Sequence, residues 1–217
     1  MGLVEVKSRI GAACKKSGRD PSSVTLIAVS KSRPAEKIQL LLDQGQRVFG
    51  ENRVQEAAEK FHALRQKYPD IELHLIGRLQ TNKVREAVGI FDVIETVDRI
   101  RLAEELGREM KKQNRHLPCL IQVNTGDEKQ KGGVAPKDLA ALLHFCTKQA
   151  QLGIEGLMCI PPIHESPDLH FALLHKLAQE LSLNGLSMGM SADFATAIRY
   201  GATHVRIGSA IFDIKEN

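Results

Sequence analysis

Short apolar runs alternate regularly with amphipathic stretches along this chain, and this pattern limits the folds it can adopt. Eight apolar runs occur: VTLIAVS (24–30), RVFG (47–50), ELHLIG (72–77), FDVIETV (91–97), PCLIQVN (118–124), IEGLMCI (154–160), GLSM (185–188) and HVRIG (204–208). The segments between them have helical spacing, at about 34–44, 52–67, 80–87, 99–113, 137–149, 167–183 and 191–199. Strands that alternate with helices in this way predict parallel βαβ units.

Eight such units predict an α/β fold of the closed (β/α)8 TIM-barrel type, in a chain shorter than the typical ~250 residues. The alternative is an open doubly wound sheet. The barrel is favoured because no glycine-rich dinucleotide fingerprint follows the first strand. Val6, Ile10, Ala13 and Cys14 form one apolar stripe, so we also expect an extra N-terminal helix. No linker divides the 217 residues, which predicts a single domain over 1–217.

Composition excludes several classes of protein. The net charge of +4 is small, no Lys/Arg run exceeds two residues and aromatic residues make up only 4%, so we expect no nucleic-acid partner. No apolar stretch reaches the length of a membrane span, and no signal-peptide core is present, so we expect no membrane partner. Four cysteines without a CxxC pair predict reduced thiols in a cytoplasmic protein. The eight histidines have no metal-binding spacing, so we expect no metal.

In a barrel the chemistry lies where the strands end, and the first strand ends at Lys31. A lysine whose stem packs among apolar side chains can lose its charge by desolvation and become a Schiff-base amine. A single lysine at a helix start is more often a solvated side chain. The sequence near Lys31 leaves both interpretations open.

The last two strands end in GLSMGMS (185–191) and VRIGS (205–209), which place glycines and serines between a strand and a helix. Backbone N–H groups freed at such turns form anion sites, and barrels commonly hold phosphate at these loops. The glycines can equally be ordinary turn residues. Arg206 lies between apolar Val205 and Ile207, so we expect it to face the barrel interior. Together with Lys31, these loops suit a phosphorylated aldehyde.

Seven segments resemble, in order, the pyridoxal phosphate homeostasis protein family. They are AVSKSRP (28–34), FGENRVQE (49–56), HLIGRLQTNK (74–83), QVNTGDEKQKGG (122–133), GLMCIPP (156–162), LSMGMSADF (186–194) and THVRIGSAIF (203–212). The resemblance covers essentially the whole chain. The family's fold is similar to the N-terminal barrel of alanine racemases, the fold type III of pyridoxal phosphate proteins.

The resemblance implies that Lys31 holds pyridoxal 5'-phosphate as an internal aldimine. Arg206 would stand beside the pyridine nitrogen, and Asn52 would lie near the ring. The resemblance further implies that Ser187 and the backbone of Gly208 and Ser209 hold the phosphate.

The implied function is that of a carrier, buffer or regulator of free pyridoxal phosphate, with no catalytic residue and with apo forms of pyridoxal phosphate-dependent enzymes as partners. We expect a monomer. An amino-acid racemase and a Schiff-base aldolase acting on a phosphosugar are the alternatives. A two-base racemase needs acids on both faces of the substrate, and we expect the only tyrosines, Tyr68 and Tyr200, to lie at helix ends away from the barrel mouth.

Two positions depart from the family pattern. Asp213 stands where the family usually has glycine, so the chain end is expected to pack differently. Arg78 occupies a variable position within the third motif and is expected to alter the rim of the site.

Overall fold

The computed structural model describes residues 2–128 and 131–213, which contain eight short parallel strands. The strands are β1 Thr25–Val29, β2 Val48–Glu51, β3 Glu72–Leu75, β4 Val93–Val97, β5 Cys119–Gln122, β6 Ile154–Met158, β7 Gly185–Ser187 and β8 His204–Ile207. Each lies inside one of the eight apolar runs or within one residue of it, so the predicted strands are confirmed.

The helices fill the gaps between the strands and precede the first one. They are α1 Leu3–Lys16, α2 Ala35–Asp43, α3 Val54–Lys67, α4 Val84–Ile90, α5 Ile100–Lys112, α6 Leu139–His144, α7 Pro167–Glu180, α8 Phe194–Arg199 and α9 Ser209–Phe212. Helix α6 continues as a π-helical turn over Phe145–Gln149.

Strand pairing closes the sheet. β1 pairs in parallel with β2, where Ala28 lies opposite Phe49, and with β8, where Leu26 lies opposite Val205. The strands follow one another in sequence order around the closed barrel. This confirms the predicted barrel and excludes the open doubly wound sheet.

The hydrophobic core forms where the outward faces of the strands meet the helices. The predicted N-terminal helix is present as α1, which packs on α8. Val6, Ile10 and Cys14 of its apolar stripe are buried, and Ala13 is partly buried. None of the helices in residues 2–128 and 131–213 has both the length and the apolar character needed to cross a bilayer.

Candidate functional site

A cavity of about 430 Å³ opens at the carboxyl ends of the strands. Five of the six residues predicted to bind a cofactor line it: Lys31, Asn52, Arg206, Gly208 and Ser209. They meet because all eight parallel strands end on the same face of the barrel. The remaining walls are formed by Val29, Arg33, Ile76, Ile160, Met190, Ser191 and Ala192.

Lys31 lies two residues beyond β1 and is exposed at the cavity. Its backbone is held from both sides by another lysine. The ammonium group of Lys60 donates hydrogen bonds to the carbonyl oxygen of Ser30 at 2.8 Å and to that of Arg33 at 3.2 Å. These contacts bracket Lys31 while its own side chain points to the cavity.

Lys60 is anchored in turn by a buried carboxylate. Its Nζ lies 2.6 Å from Oε1 of Glu51, a fully buried residue that ends β2. The hydroxyl of Ser30 donates to the same oxygen at 2.7 Å. Burial raises the pKa of Glu51, and the hydrogen bonds and positive charge of Lys60 and the Ser30 bond only partly offset that effect. Lys60 therefore fixes the position of Lys31 at the end of β1.

The residue after Lys31 has an unusual backbone. Ser32 has φ = 57°, in the left-handed region that non-glycine residues seldom adopt. Its N–H donates to Oε1 of Glu56 at 2.5 Å, and Lys60 donates to the same oxygen at 2.8 Å. Side chains of α3 thus hold the turn in which Lys31 lies.

Arg206 faces the interior of the barrel, as predicted. It is only 4% exposed. Its guanidinium donates to the hydroxyl of Ser187 at 2.7 Å and to the carbonyl oxygen of Cys159 at 2.8 Å. These two bonds, to β7 and to the residue after β6, fix a permanent positive charge in the wall of the cavity.

Ser187 is the one predicted residue that the structure does not bring to the cavity. It is fully buried, it donates to Oε2 of Glu95 at 2.6 Å, and it accepts the bond from Arg206. The serine of the same loop that lines the cavity is Ser191, four residues further on. The alternation of side chains along β7 turns Ser187 into the barrel, whereas Ser191 lies in the loop above.

Glu95 connects Arg206 to a buried histidine. Nδ1 of His74 lies 2.7 Å from Oε1 of Glu95, and Nε2 of His74 lies 2.7 Å from Oε1 of Glu72. Burial alone would lower the pKa of His74, but the two carboxylates outweigh it and raise the pKa to about 9. Burial alone would raise the pKa of Glu95, but His74, Arg206 and Ser187 together lower it. Arg206 is therefore oriented by a charged network through the barrel core, a network that the sequence did not indicate.

The loop after β8 offers backbone donors to the cavity. Helix α9 begins at Ser209 with Gly208 as its N-cap, and glycine has no side chain that could cap the first turn. The first N–H groups of a helix have no intrahelical acceptor. Ser209 Oγ lies 3.3 Å from Ser191 Oγ, which joins the loops after β7 and β8. This edge of the cavity suits an oxyanion.

Asn52 is positioned by a close approach of two loops. A Cβ atom on Gly77 would lie only 2.2 Å from the carbonyl oxygen of Asn52, so no other residue fits at position 77 without a shift. Oδ1 of Asn52 is buried and has no hydrogen-bond partner in residues 2–128 and 131–213. The site thus presents an acceptor that a ligand can satisfy.

Arg33 is a further site residue, which no sequence pattern indicated. It lines the cavity and pairs with Asp213, with Nη1 to Oδ1 at 2.6 Å and Nη2 to Oδ2 at 2.9 Å. Asp213, which stands where the family usually has glycine, therefore has a structural role as the ion-pair partner of Arg33. The two partners are separated by 180 positions, so no local pattern could have predicted the pair.

A larger cavity, of about 910 Å³, opens at the opposite end of the barrel. It is lined by the first residues of several strands, among them Glu72, Val93, Ile154 and His204. None of the six predicted site residues lines it, and its buried His74 is already paired with two carboxylates. The smaller cavity is therefore the candidate site. Residues 2–128 and 131–213 contain no group of three or more metal-ligating side chains.

The chain matches known proteins over nearly its whole length. Residues 10–216 match a family model described as the N-terminal domain of alanine racemase. The pyridoxal phosphate homeostasis protein of Aquifex aeolicus is 42% identical over 97% of this chain and 95% of that protein. That of Escherichia coli K12 is 37% identical over 99% of this chain and 95% of that protein.

Solved structures match in the same way. The structure of PipY from Synechococcus elongatus with PLP bound is similar, with a TM-score of 0.81, 39% identity and coverage of 95% of this chain and 99% of that chain. An alanine racemase of Clostridium difficile 630 has a TM-score of 0.69 at 14% identity, and 53% of that chain is covered. The racemase likeness concerns the barrel fold alone.

Proposed function

This chain belongs to the pyridoxal phosphate homeostasis protein family, and we propose that it binds pyridoxal 5'-phosphate at the barrel mouth. The observation that carries the proposal is one cavity with a projecting amine, a buried guanidinium and two serine-containing loops. The amine can bind an aldehyde, the guanidinium can lie beside a pyridine nitrogen, and the two loops can bind a phosphate.

Lys31 would form the covalent link to the cofactor. Its amine would hold the cofactor through the aldehyde that the cofactor supplies, and water or a second amine could displace the lysine from that link. Lys60 and Glu51 hold the backbone on either side of Lys31, so the amine is presented from a rigid base. When bound, the cofactor supplies an aromatic ring that can withdraw electrons from an attached amine.

Arg206 would stand beside the pyridine nitrogen. Its charge is permanent, and its bonds to Ser187 and Cys159 keep it in the wall of the cavity. A second positive charge beside it is disfavoured, so the nitrogen would stay unprotonated. The ring would then withdraw electrons poorly, which suits storage of the cofactor better than catalysis.

The phosphate would lie at the joined loops. We assign it to the backbone of Gly208 and Ser209, with the hydroxyls of Ser209 and Ser191 as further donors. In this assignment Ser187 orients Arg206 and does not contact the phosphate, because both Glu95 and Arg206 already bond to its hydroxyl. Asn52 would accept a hydrogen bond from the ring substituent nearest to it.

We propose that the protein is a carrier or buffer of the cofactor and not an efficient racemase. Two-base racemisation needs acid–base groups on both faces of the substrate. Among the described residues, the cavity is lined by no Asp, Glu, His or Tyr. Tyr68 and Tyr200 follow the last residues of α3 and α8, away from the mouth. Alanine or serine racemisation at ordinary enzyme rates would contradict this part of the proposal.

The carrier role is supported by the exposure of the amine. Lys31 is exposed, so an incoming amine can approach the bond and release the cofactor. We propose apo forms of pyridoxal phosphate-dependent enzymes as recipients. The loaded protein is mixed with such an apo-enzyme in two reactions, one of which also contains a scavenger of free cofactor. The apo-enzyme should recover activity, and it should do so in both reactions if transfer occurs by direct contact. An apo-enzyme that stays inactive in both reactions would indicate that the protein buffers the cofactor and does not donate it.

We also propose that the protein acts as a cytoplasmic monomer with one domain. All four cysteines are free and buried, as expected in a reducing compartment. The cavity is complete within one chain.

Cofactor binding is tested by an absorbance titration with pyridoxal 5'-phosphate. The wild type should develop the visible band of a protein-bound imine, and Lys31→Ala should not. Lys37→Ala, which removes an exposed lysine of α2, is the matched control and should behave as the wild type. A visible band unchanged in Lys31→Ala would overturn the assignment.

A further inference from the structure

A second cavity, of about 670 Å³, lies beside the candidate cofactor site. Its walls come from the segment 52–55 at the start of α3, from the segment 77–83 after β3, and from Arg99. Asn52 lines both this cavity and the cofactor site. The two segments fall within the motifs FGENRVQE and HLIGRLQTNK, for which the proposed function gives no role beyond Asn52.

The charge of this cavity is strongly positive. It is lined by Arg53, Arg78, Lys83 and Arg99, and by no Asp or Glu among the described residues. Two of the cations are partly neutralised by acidic residues that do not line the cavity. Arg99 pairs with Asp98 at 2.5 Å, and Lys83 pairs with Glu86 at 3.2 Å.

Neither Arg53 nor Arg78 forms a salt bridge within residues 2–128 and 131–213, although Arg53 interacts electrostatically with Glu56 in the first turn of α3. Both are exposed, and they project from the two different segments that form the walls. An arginine presents a planar fork of N–H donors that matches carboxylate and phosphate oxygens. Two such forks around one cavity favour an oxyanion over a neutral or cationic ligand.

The backbone adds donors to the same cavity. Helix α3 is fourteen residues long, and the side chain of its N-cap residue, Arg53, accepts no capping hydrogen bond from the first turn. The N–H groups of its first turn have no intrahelical acceptor, and the helix dipole is positive at this end. Val54 and Gln55 of that turn line the cavity.

We propose that this cavity is a second ligand site, which binds the phosphate or carboxylate group of a small molecule between Arg53 and Arg78. The site is distinct from the cofactor site and does not depend on the proposed function.

The test is a residue-resolved titration of the full-length, isotope-labelled protein. Inorganic phosphate is added while the backbone amide shifts of Gln55, Gly77 and Ser209 are followed by NMR. The Gln55 and Gly77 amides should move saturably at millimolar phosphate. Ser209 reports the cofactor site in the same titration, so either site can fail independently of the other.

Arg53→Gln combined with Arg78→Gln should weaken phosphate binding at Gln55 and Gly77 by about tenfold or more, which corresponds to about 1.4 kcal/mol, because both charged donors are lost. Arg85→Gln with Arg101→Gln is the matched control. It removes the same charge from two exposed arginines of α4 and α5 that do not line the cavity, and it should leave binding unchanged.

A parallel titration with acetate separates the two sources of oxyanion. A tighter response to phosphate assigns a phosphate monoester, and a tighter response to acetate assigns a carboxylate. The proposal is overturned if the Gln55 and Gly77 amides of the wild type do not respond to either anion. It is also overturned if they respond equally in the Arg53→Gln/Arg78→Gln protein.

Discussion

The guanidinium of Arg206 and the hydroxyl of Ser187 meet inside the barrel at 2.7 Å, although β7 and β8 share only one paired position. The same hydroxyl donates to the fully buried Glu95, so one serine links a cation to a carboxylate. The pair places the charge of Arg206 in the cavity wall and leaves it little freedom to move. Stability and the electrostatics of the site are therefore coupled through Ser187.

Replacing Ser187 by alanine should destabilise the protein. The change leaves Oε2 of Glu95 and one N–H of Arg206 without their partner in a buried setting, which costs about 1–3 kcal/mol. The measurement is the free energy of unfolding in urea. Ser191→Ala is the control: Ser191 lines the cavity, so this change should weaken cofactor binding and alter stability by only about 0.5 kcal/mol. Equal stability of the two variants would contradict the roles given to these serines.

Because of the buried His74, the free energy of unfolding should decrease as the pH rises above neutral. The pKa of His74 is raised to about 9 in the folded protein, above the unfolded value of 6.5. The stabilisation of the folded protein by protonated His74 is fully present below pH 6.5 and is lost as the pH rises through about 9. The free energy of unfolding should thus fall over this range, by up to about 3 kcal/mol.

The comparison variant for this prediction is His74→Gln, which should flatten the fall between pH 6.5 and 9. His62→Gln removes an exposed histidine of α3 and should leave the fall as in the wild type. An identical pH profile for His74→Gln and the wild type would show that His74 does not carry the effect.

Gly77 should tolerate no side chain. A Cβ there would lie 2.2 Å from the carbonyl oxygen and 2.6 Å from the Cα of Asn52, so Gly77→Ala must displace Asn52. We expect a loss of about 1–3 kcal/mol in stability together with weaker cofactor binding. Gly89→Ala, in helix α4, would meet only Gln113 at 3.6 Å and should be stabilising by roughly 0.5–1 kcal/mol. A neutral Gly77→Ala in thermal unfolding would argue against the tight contact.

The charge of Arg206 should set the spectrum of the bound cofactor. Arg206→Gln removes the positive charge beside the proposed ring nitrogen, so that nitrogen should titrate at a higher pH than in the wild type. The visible absorbance of the loaded wild type should not change with pH, whereas that of loaded Arg206→Gln should show a transition as this nitrogen titrates. Arg206→Lys keeps a positive charge, so its absorbance should again be independent of pH. A flat profile in both variants would place Arg206 away from the nitrogen.

Much of the fold was predictable from the sequence, because apolar runs of strand length and amphipathic stretches are local patterns. The meeting of Lys31, Asn52, Arg206, Gly208 and Ser209 was predictable for a related reason, since residues that follow parallel strands gather at one end of a barrel. Position along the chain indicated Lys31, Arg206, Gly208 and Ser209, and the family resemblance added Asn52.

The contacts that position these residues could not be predicted. Whether Ser187 or Ser191 lines the cavity depends on the side-chain alternation at the end of a three-residue strand. The bonds from Ser187 to Glu95 and from Arg33 to Asp213 join positions 92 and 180 residues apart. Such pairs depend on the closure of the whole barrel, which no local window contains.

Reduction with borohydride tests whether Lys31 binds pyridoxal 5'-phosphate covalently at the barrel mouth. The loaded protein is reduced, digested and mapped by mass spectrometry. We predict one phosphopyridoxyl group per chain, on Lys31, with Lys37 and Lys60 unmodified. Stoichiometric modification of any other lysine, or none in a protein that has bound the cofactor, would contradict it.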